Sequence, residues 1–221
     1  MKKFLCFSLI CLCGIGLSAC GLFNPKLENF VSEICYNIFE CDNSFFNCNI
    51  TSGVRENPFE YDGKSEAMVP FCVVNVIFKK TEYKPGNNVP FKIFLQSETI
   101  EGLLEKNPFG EGYLFDIKRS LQNDAAVKIE IAESSLEQFD MVCKSKDWKV
   151  DHAEAFKIGS KLIKEKINEN AKNGGEIYLK IIYDSHRVLK NHFWQFSFLD
   201  GSKKFSSVVI DVMTGEMLAK L

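Results

Sequence analysis

The sequence has almost no excess charge of either sign, only three histidines, and no apolar run that spans a bilayer comfortably. Its 27 basic residues stand against 29 acidic ones. This balance leaves no positive field to neutralise phosphates, so nucleic-acid binding is not expected. A charged fraction of 25% and a hydrophobic fraction of 46% are ordinary for a folded chain, which argues against wholesale disorder and a multi-span membrane protein. The apolar stretch at 4–17 is shorter than the roughly 20 residues of a membrane-spanning helix.

That short apolar stretch is instead typical of an export signal. It follows Lys2 and Lys3 and ends in the small residues of Leu17-Ser18-Ala19-Cys20-Gly21. This segment resembles the lipobox of bacterial lipoproteins, and the alternative is an ordinary secretory signal with an accidental cysteine. The resemblance implies a signal peptide over 1–19, cleavage after Ala19, and a lipidated Cys20 that anchors the chain to a membrane. It thereby implies a cell-envelope location, with the outer membrane favoured over the inner one if the source is Gram-negative.

Cysteines outside the signal predict disulfides. Four of the nine cysteines belong to the signal and the lipobox, and the other five would lie in an oxidising compartment after export. Cys143 is remote from the others and flanked by apolar residues, which predicts a buried free thiol. The disulfide candidates are Cys35, Cys41, Cys48 and Cys72, whose pairing stays open. Their spacing lacks the close cysteine pair of zinc ribbons, so no metal site is expected.

Hydrophobic periodicity predicts a β-rich region over 20–147 with one leading helix. Apolar residues recur at helical spacing over 25–40, whereas 41–69 is rich in Asn, Gly and Ser and is expected to be irregular. Strands are expected over 71–78, 89–95, 113–117 and 127–131, where β-branched and aromatic residues are frequent or alternate with polar ones.

The last part of the chain, 148–221, predicts a helix packed on an antiparallel sheet. Asp151 is placed to cap a helix over 151–172, and three alternating segments, 177–183, 194–198 and 208–212, predict a meander with a hairpin at Asp200-Gly201. This order, with the closing segment Val209-Ile210-Asp211-Val212-Met213-Thr214-Gly215-Glu216, resembles the PepSY domain, and cystatin-like folds are similar. The expected class is therefore α+β, and the resemblance implies binding or inhibition rather than catalysis.

Candidate functional residues are few. Arg55 and Tyr61 lie in a polar, turn-rich loop that is suited to recognition, and Trp194 and Phe196 could supply an aromatic docking surface, although such a stripe is more often core. The expected function is a non-enzymatic binding or accessory module for a peptide, a peptidase or another envelope component, without a cofactor. The alternative is an envelope hydrolase that uses Cys143, with His152, or the acidic residues of the 55–62 loop.

Overall fold

The computed structural model describes residues 27–62, 66–79, 86–108, 110–132, 135–183 and 191–221, so the predicted signal peptide and Cys20 lie outside the described residues. Within these ranges the chain forms twelve strands and two α-helices, with short 3-10 helices at Leu27–Phe30, Ser145–Asp147 and Ala171–Asn173. The strands are β1 (Val31–Asp42), β2 (Phe46–Glu56), β3 (Met68–Phe78), β4 (Asn88–Phe94), β5 (Thr99–Lys106), β6 (Tyr113–Ile117), β7 (Val127–Ile131), β8 (Ser135–Cys143), β9 (Gly175–Tyr183), β10 (His192–Asp200), β11 (Phe205–Asp211) and β12 (Met217–Lys220). The helices are α1 (His152–Leu162) and α2 (Lys164–Asn170).

Eight strands close into an antiparallel barrel in the order β1-β2-β3-β6-β5-β4-β7-β8. The closure is made by β8 against β1, where Phe39 lies opposite Cys143 and Glu40 opposite Val142. The interior is filled by buried apolar side chains from all around the barrel, among them Phe39, Phe46, Ile50, Val74, Ile93, Leu104 and Ile129. The barrel therefore has a packed hydrophobic core.

A second sheet segment extends from the barrel through β1. β9 pairs with β1 in parallel, with Val31 opposite Ile177, and β10, β11 and β12 follow as an antiparallel meander. The helices cover one face of this C-terminal sheet, where Trp194, Phe196 and Phe198 pack against α1 and α2 residues such as Ala155 and Ile167. The barrel and the C-terminal sheet therefore share β1, which is a strand of the barrel wall and also pairs with β9.

The expected α+β class with a leading helix is wrong. The structure is mostly β, and residues 31–40 of the helix predicted over 25–40 lie in β1, the longest of the strands described. Likewise, the segment expected to be irregular contains β2 and the start of β3. The C-terminal sheet continues the barrel through β1 in place of the PepSY-like or cystatin-like fold that the resemblance implied. Apolar residues suggested a helix because β1 is buried on both of its faces, which removes the alternation of a half-buried strand.

Two local expectations for the C-terminal region, the Asp151 cap and the hairpin at Asp200-Gly201, are confirmed. The Asp151 carboxylate accepts a hydrogen bond of 2.8 Å from the backbone N–H of Glu154 and caps α1. The β10–β11 hairpin turns at Asp200 and Gly201, where Asp200 accepts hydrogen bonds from the N–H groups of Ser202 and Lys204. The helical segment is interrupted at Ile163, which separates α1 from α2.

Candidate binding site at the junction of the barrel and the C-terminal sheet

The loop 57–62 leaves the end of β2 and folds over β9, on the face of the C-terminal sheet opposite the helices. Two buried carboxylates hold the chain there. Glu176 of β9 accepts a hydrogen bond of 3.2 Å from the N–H of Asp62, and Glu56 accepts one of 3.0 Å from the N–H of Glu66. Glu56 and Glu176 are 1% and 0% exposed, so the two accepting side chains are buried. We call the surface that results, formed by Arg55, Phe59, Tyr61, Tyr178, Lys180 and Phe205, the junction site.

Lys180 lies at the centre of the junction site. Its ammonium Nζ lies 5.2 to 5.6 Å from the ring centroids of Phe59, Tyr61 and Tyr178, within the range of cation–π attraction. It also donates a hydrogen bond of 2.8 Å to the Tyr61 hydroxyl and lies 3.4 Å from the Glu33 carboxylate. Burial alone would lower the pKa of Lys180, but Glu33 and Tyr61 outweigh this effect and raise it. Lys180 is therefore a positive charge that fixes the position of the loop aromatics.

Arg55 holds the other side of the loop. Its guanidinium lies 5.3 Å from the Phe59 ring centroid and 4.9 Å from that of Phe71, and it forms an ion pair with Asp116 of β6. Phe59 thus contacts a cation from the barrel and a cation from the C-terminal sheet. Both parts of the molecule contribute to the junction site, and the site depends on β1 joining them.

Two aromatic side chains of the junction site are open to solvent. Tyr61 is 48% exposed and Phe205, at the start of β11, is 55% exposed, and their ring centroids are 6.4 Å apart. Tyr178 lies beneath them, 5.2 Å from Tyr61 and 6.2 Å from Phe205. The rings of Tyr61 and Phe205 therefore lie on the ring of Tyr178, and the Lys180 ammonium helps to hold this aromatic layer in place.

Two buried groups, Glu56 beneath this layer and Tyr178 within it, have raised pKa values. Burial raises the pKa of Glu56, with a smaller contribution from Glu176. The Tyr178 hydroxyl donates a hydrogen bond of 2.5 Å to Glu176, and burial together with this carboxylate raises the pKa of Tyr178. Tyr178 therefore stays protonated and acts as a hydrogen-bond donor that satisfies a buried carboxylate.

Of the four residues expected to form a binding surface, Arg55 and Tyr61 meet at the junction site. Trp194 and Phe196 do not, because both are 0% exposed and pack beneath the helices. The Trp194 indole N–H donates a hydrogen bond of 2.9 Å to the Val150 carbonyl, which satisfies its polar group in the core. Trp194 and Phe196 therefore belong to the core and do not form a docking surface.

The sequence pattern does not by itself group Phe59, Tyr178, Lys180 and Phe205 into one site. The available signal was the alternation in β9, where Tyr178 and Lys180 fall on one face with Glu176 and the apolar residues fall on the other. Pairing across the sheet then brings Phe205 of β11 to the same face. The loop's position above this face depends on tertiary contacts that the sequence pattern does not contain.

All five described cysteines are free thiols in the structure. Cys35, Cys41, Cys48 and Cys72 are buried, whereas Cys143 is only partly buried. The Cys143 thiol lies 3.4 Å from the Ser145 hydroxyl, and the His152 ring packs against Tyr36 at 4.4 Å, so the two residues considered for a hydrolase have separate neighbours.

Within the described ranges, no group of three or more His, Cys, Asp or Glu side chains is placed to hold a metal ion. No α-helix in the described part of the chain is long and apolar enough to cross a membrane. An open groove of about 380 Å³ lies on the outer barrel wall, where the Lys92–Glu101 ion pair of 2.7 Å forms part of its lining. The exposed pair Tyr61 and Phe205 lies at the junction site and not in this groove.

Comparison of the chain with protein-family models, curated proteins and solved structures finds no match.

Proposed function

We propose that the chain is a lipid-anchored cell-envelope protein that binds a polypeptide partner at the junction site, without catalysis. The observation that carries the binding proposal is the exposed pair Tyr61 and Phe205, with ring centroids 6.4 Å apart. Aromatic side chains and arginine are enriched in protein–protein interfaces, where a few of them supply most of the binding free energy. Arg55 lies beneath the loop, where its guanidinium packs against the Phe59 ring and supports the loop from below.

The rigidity of the junction site supports the same proposal. Binding costs less free energy when the contacting side chains are already ordered, since fewer rotamers are lost. The Tyr61 hydroxyl accepts a hydrogen bond from Lys180, and the backbone of the next residue is bonded to Glu176. A partner would therefore meet an aromatic surface whose geometry is set before contact.

Site-specific photo-crosslinking tests the binding surface. A photoreactive phenylalanine analogue is placed at Phe205 of the full chain in native membranes, and a matched control carries it at Leu103. Leu103 is 49% exposed but lies on β5, four strands from β1 in either direction around the barrel. We expect a discrete crosslinked protein from position 205 only. Equal crosslinking from both positions, or none from either, would contradict the binding proposal.

The lipid anchor is tested separately. Cys20→Ser should abolish acylation of the mature chain and release it from the membrane fraction, because several acyl chains on that residue would provide the anchor. The control is Cys13→Ser, which changes a cysteine in the apolar part of the signal and should leave acylation intact. Mass spectrometry of the mature amino terminus reads the result, and an unacylated wild-type Cys20 would refute the anchor.

A further inference from the structure

Two of the buried cysteines lie directly opposite each other in the β1–β2 hairpin. Cys41 of β1 pairs with Cys48 of β2 in the antiparallel register, and both side chains belong to the barrel core. The other three described cysteines lie opposite different residue types: Cys35 faces Gly53, Cys72 faces Ser52, and Cys143 faces Phe39. Cys41 and Cys48 are therefore the cross-strand pair among the described cysteines.

The spacing of such a pair suits a covalent bond. Directly opposed residues of antiparallel strands have Cα atoms about 4.5 to 5.5 Å apart. A disulfide spans Cα separations of about 4.4 to 6.8 Å, so the separation typical of directly opposed residues lies within the range of a disulfide. The hairpin is held at its turn by the Asn43 side chain, whose oxygen accepts hydrogen bonds of 2.8 and 2.9 Å from the N–H groups of Phe45 and Phe46. The register that opposes the two cysteines is thus fixed locally.

We propose that Cys41 and Cys48 form a disulfide in the exported protein, an inference that depends on the proposed envelope location. The bond forms by thiol–disulfide exchange with a donor disulfide, such as that of a thiol oxidoreductase or glutathione disulfide. The two cysteine thiols lose two protons and two electrons as their S–S bond forms, and the donor disulfide is reduced to two thiols.

Burial determines when the exchange takes place. Cys48 is 0% exposed and Cys41 is 8% exposed in the folded barrel, and burial raises the pKa of both thiols. Because the thiolate is the reactive species, the folded hairpin protects both sulfurs. The bond therefore forms before the barrel closes, and a reduced, folded chain should react slowly with added oxidant.

Peptide mapping tests the pairing on the full chain isolated from membranes. Free thiols are blocked with N-ethylmaleimide under denaturing conditions, and trypsin is followed by a protease that cleaves before Asp42, between the two cysteines. We expect two fragments joined by a bond that reduction breaks, with both cysteines unblocked before reduction. Cys41→Ser should abolish the link, whereas the matched variant Cys35→Ser, on the same tryptic fragment, should retain it.

The outcomes separate this inference from the proposed location. Blocked Cys41 and Cys48 in a chain whose Cys20 carries lipid would overturn the disulfide and leave the location intact. If Cys20 carries no lipid, the location fails, and the pairing is tested by refolding the denatured chain with glutathione disulfide. A 41–48 link after refolding supports the pairing, and two blocked thiols, or a link to Cys35, overturn it.

Discussion

The packing of α1 on the C-terminal sheet leads to a quantitative prediction at Gly159. This residue is in the helix where it crosses β10, and a Cβ added there would lie 2.3 Å from Cγ and 2.4 Å from Cβ of Phe196. Carbon atoms in favourable contact are about 3.5 to 4.0 Å apart, so the helix and the strand would have to separate by about 1 Å. Because the Phe196 Cβ is attached directly to the strand backbone, rotation of the side chain does not relieve the overlap.

We expect Gly159→Ala to destabilise the protein by about 2 kcal/mol. Overpacking a close-packed core costs about 1–3 kcal/mol, and the fixed Phe196 Cβ places this site at the upper end. Alanine offsets about 1 kcal/mol of that cost, since it favours the helix over glycine. For a chain of this length the melting temperature should fall by about 4–8 °C.

Urea denaturation followed by tryptophan fluorescence measures this effect. Trp148 and Trp194 pack edge-to-face at 5.2 Å near the same core, so their emission reports on the C-terminal sheet. The control is Gly86→Ala, where an added Cβ has nothing within 4 Å and stability should change by less than about 0.5 kcal/mol. A Gly159→Ala variant as stable as the wild type, or more stable, would refute the packing described for α1.

Three further predictions concern an acid–base group, a helix cap and a turn. Because the pKa of Glu56 is raised in the folded chain, the stability that its protonated form contributes is complete below its ordinary pKa of 4.5 and is lost as pH rises through the pKa of the folded state. Glu56→Gln should therefore become more stable relative to the wild type from acidic to neutral pH, as measured by paired urea titrations. Asp151→Ala removes the hydrogen bond to the Glu154 N–H and should cost about 1 kcal/mol by thermal denaturation; no loss would contradict the observed cap. Gly215 has a φ of 75° in the turn before β12, so Gly215→Ala should cost about 1–2 kcal/mol in the same assay, and an unchanged melting temperature would argue against that turn.

The C-terminal sheet could be predicted from sequence because its signals are local. Asp151 caps its helix through a residue three positions on, and the turns at Asp200-Gly201 and Thr214-Gly215 depend on neighbouring residues. Each strand of this sheet follows or precedes its pairing partner across a short connection, except at β1. Such local features can be recognised in a single sequence without knowledge of the tertiary fold.

The barrel strands β1 and β2 could not be predicted in the same way. β1 is flanked by β2, β8 and β9, and its register shifts between Cys35 and Asn37, so the polar–apolar alternation of a simple strand is lost. β2 contains residues typical of loops, but Gly53 has a packing role there. A Cβ at this position would lie 2.0 Å from the Ile34 carbonyl oxygen, so only glycine permits the observed approach of β1.

Part of the junction site was also predictable. The polar, turn-rich loop predicts a role for Arg55 and Tyr61, whereas the alternation over 177–183 predicts a strand and no particular role for Lys180. Its partners Glu33 and Tyr61 are distant in sequence, and the parallel pairing of β1 with β9 brings Glu33 beside this strand. That pairing joins two halves of the chain and leaves no local signature.

The most direct test of the binding proposal measures crosslinking from position 205 after a second change in the junction site. Tyr61→Ala removes the exposed ring 6.4 Å from Phe205, and truncating a central aromatic anchor weakens binding by about tenfold or more. The matched control is Tyr183→Ala, an equally exposed tyrosine at the far end of β9, beside His192. The account predicts that the crosslinked product falls at least severalfold with Tyr61→Ala and is unchanged with Tyr183→Ala. Equal yields from the two variants would contradict a binding surface at the junction site.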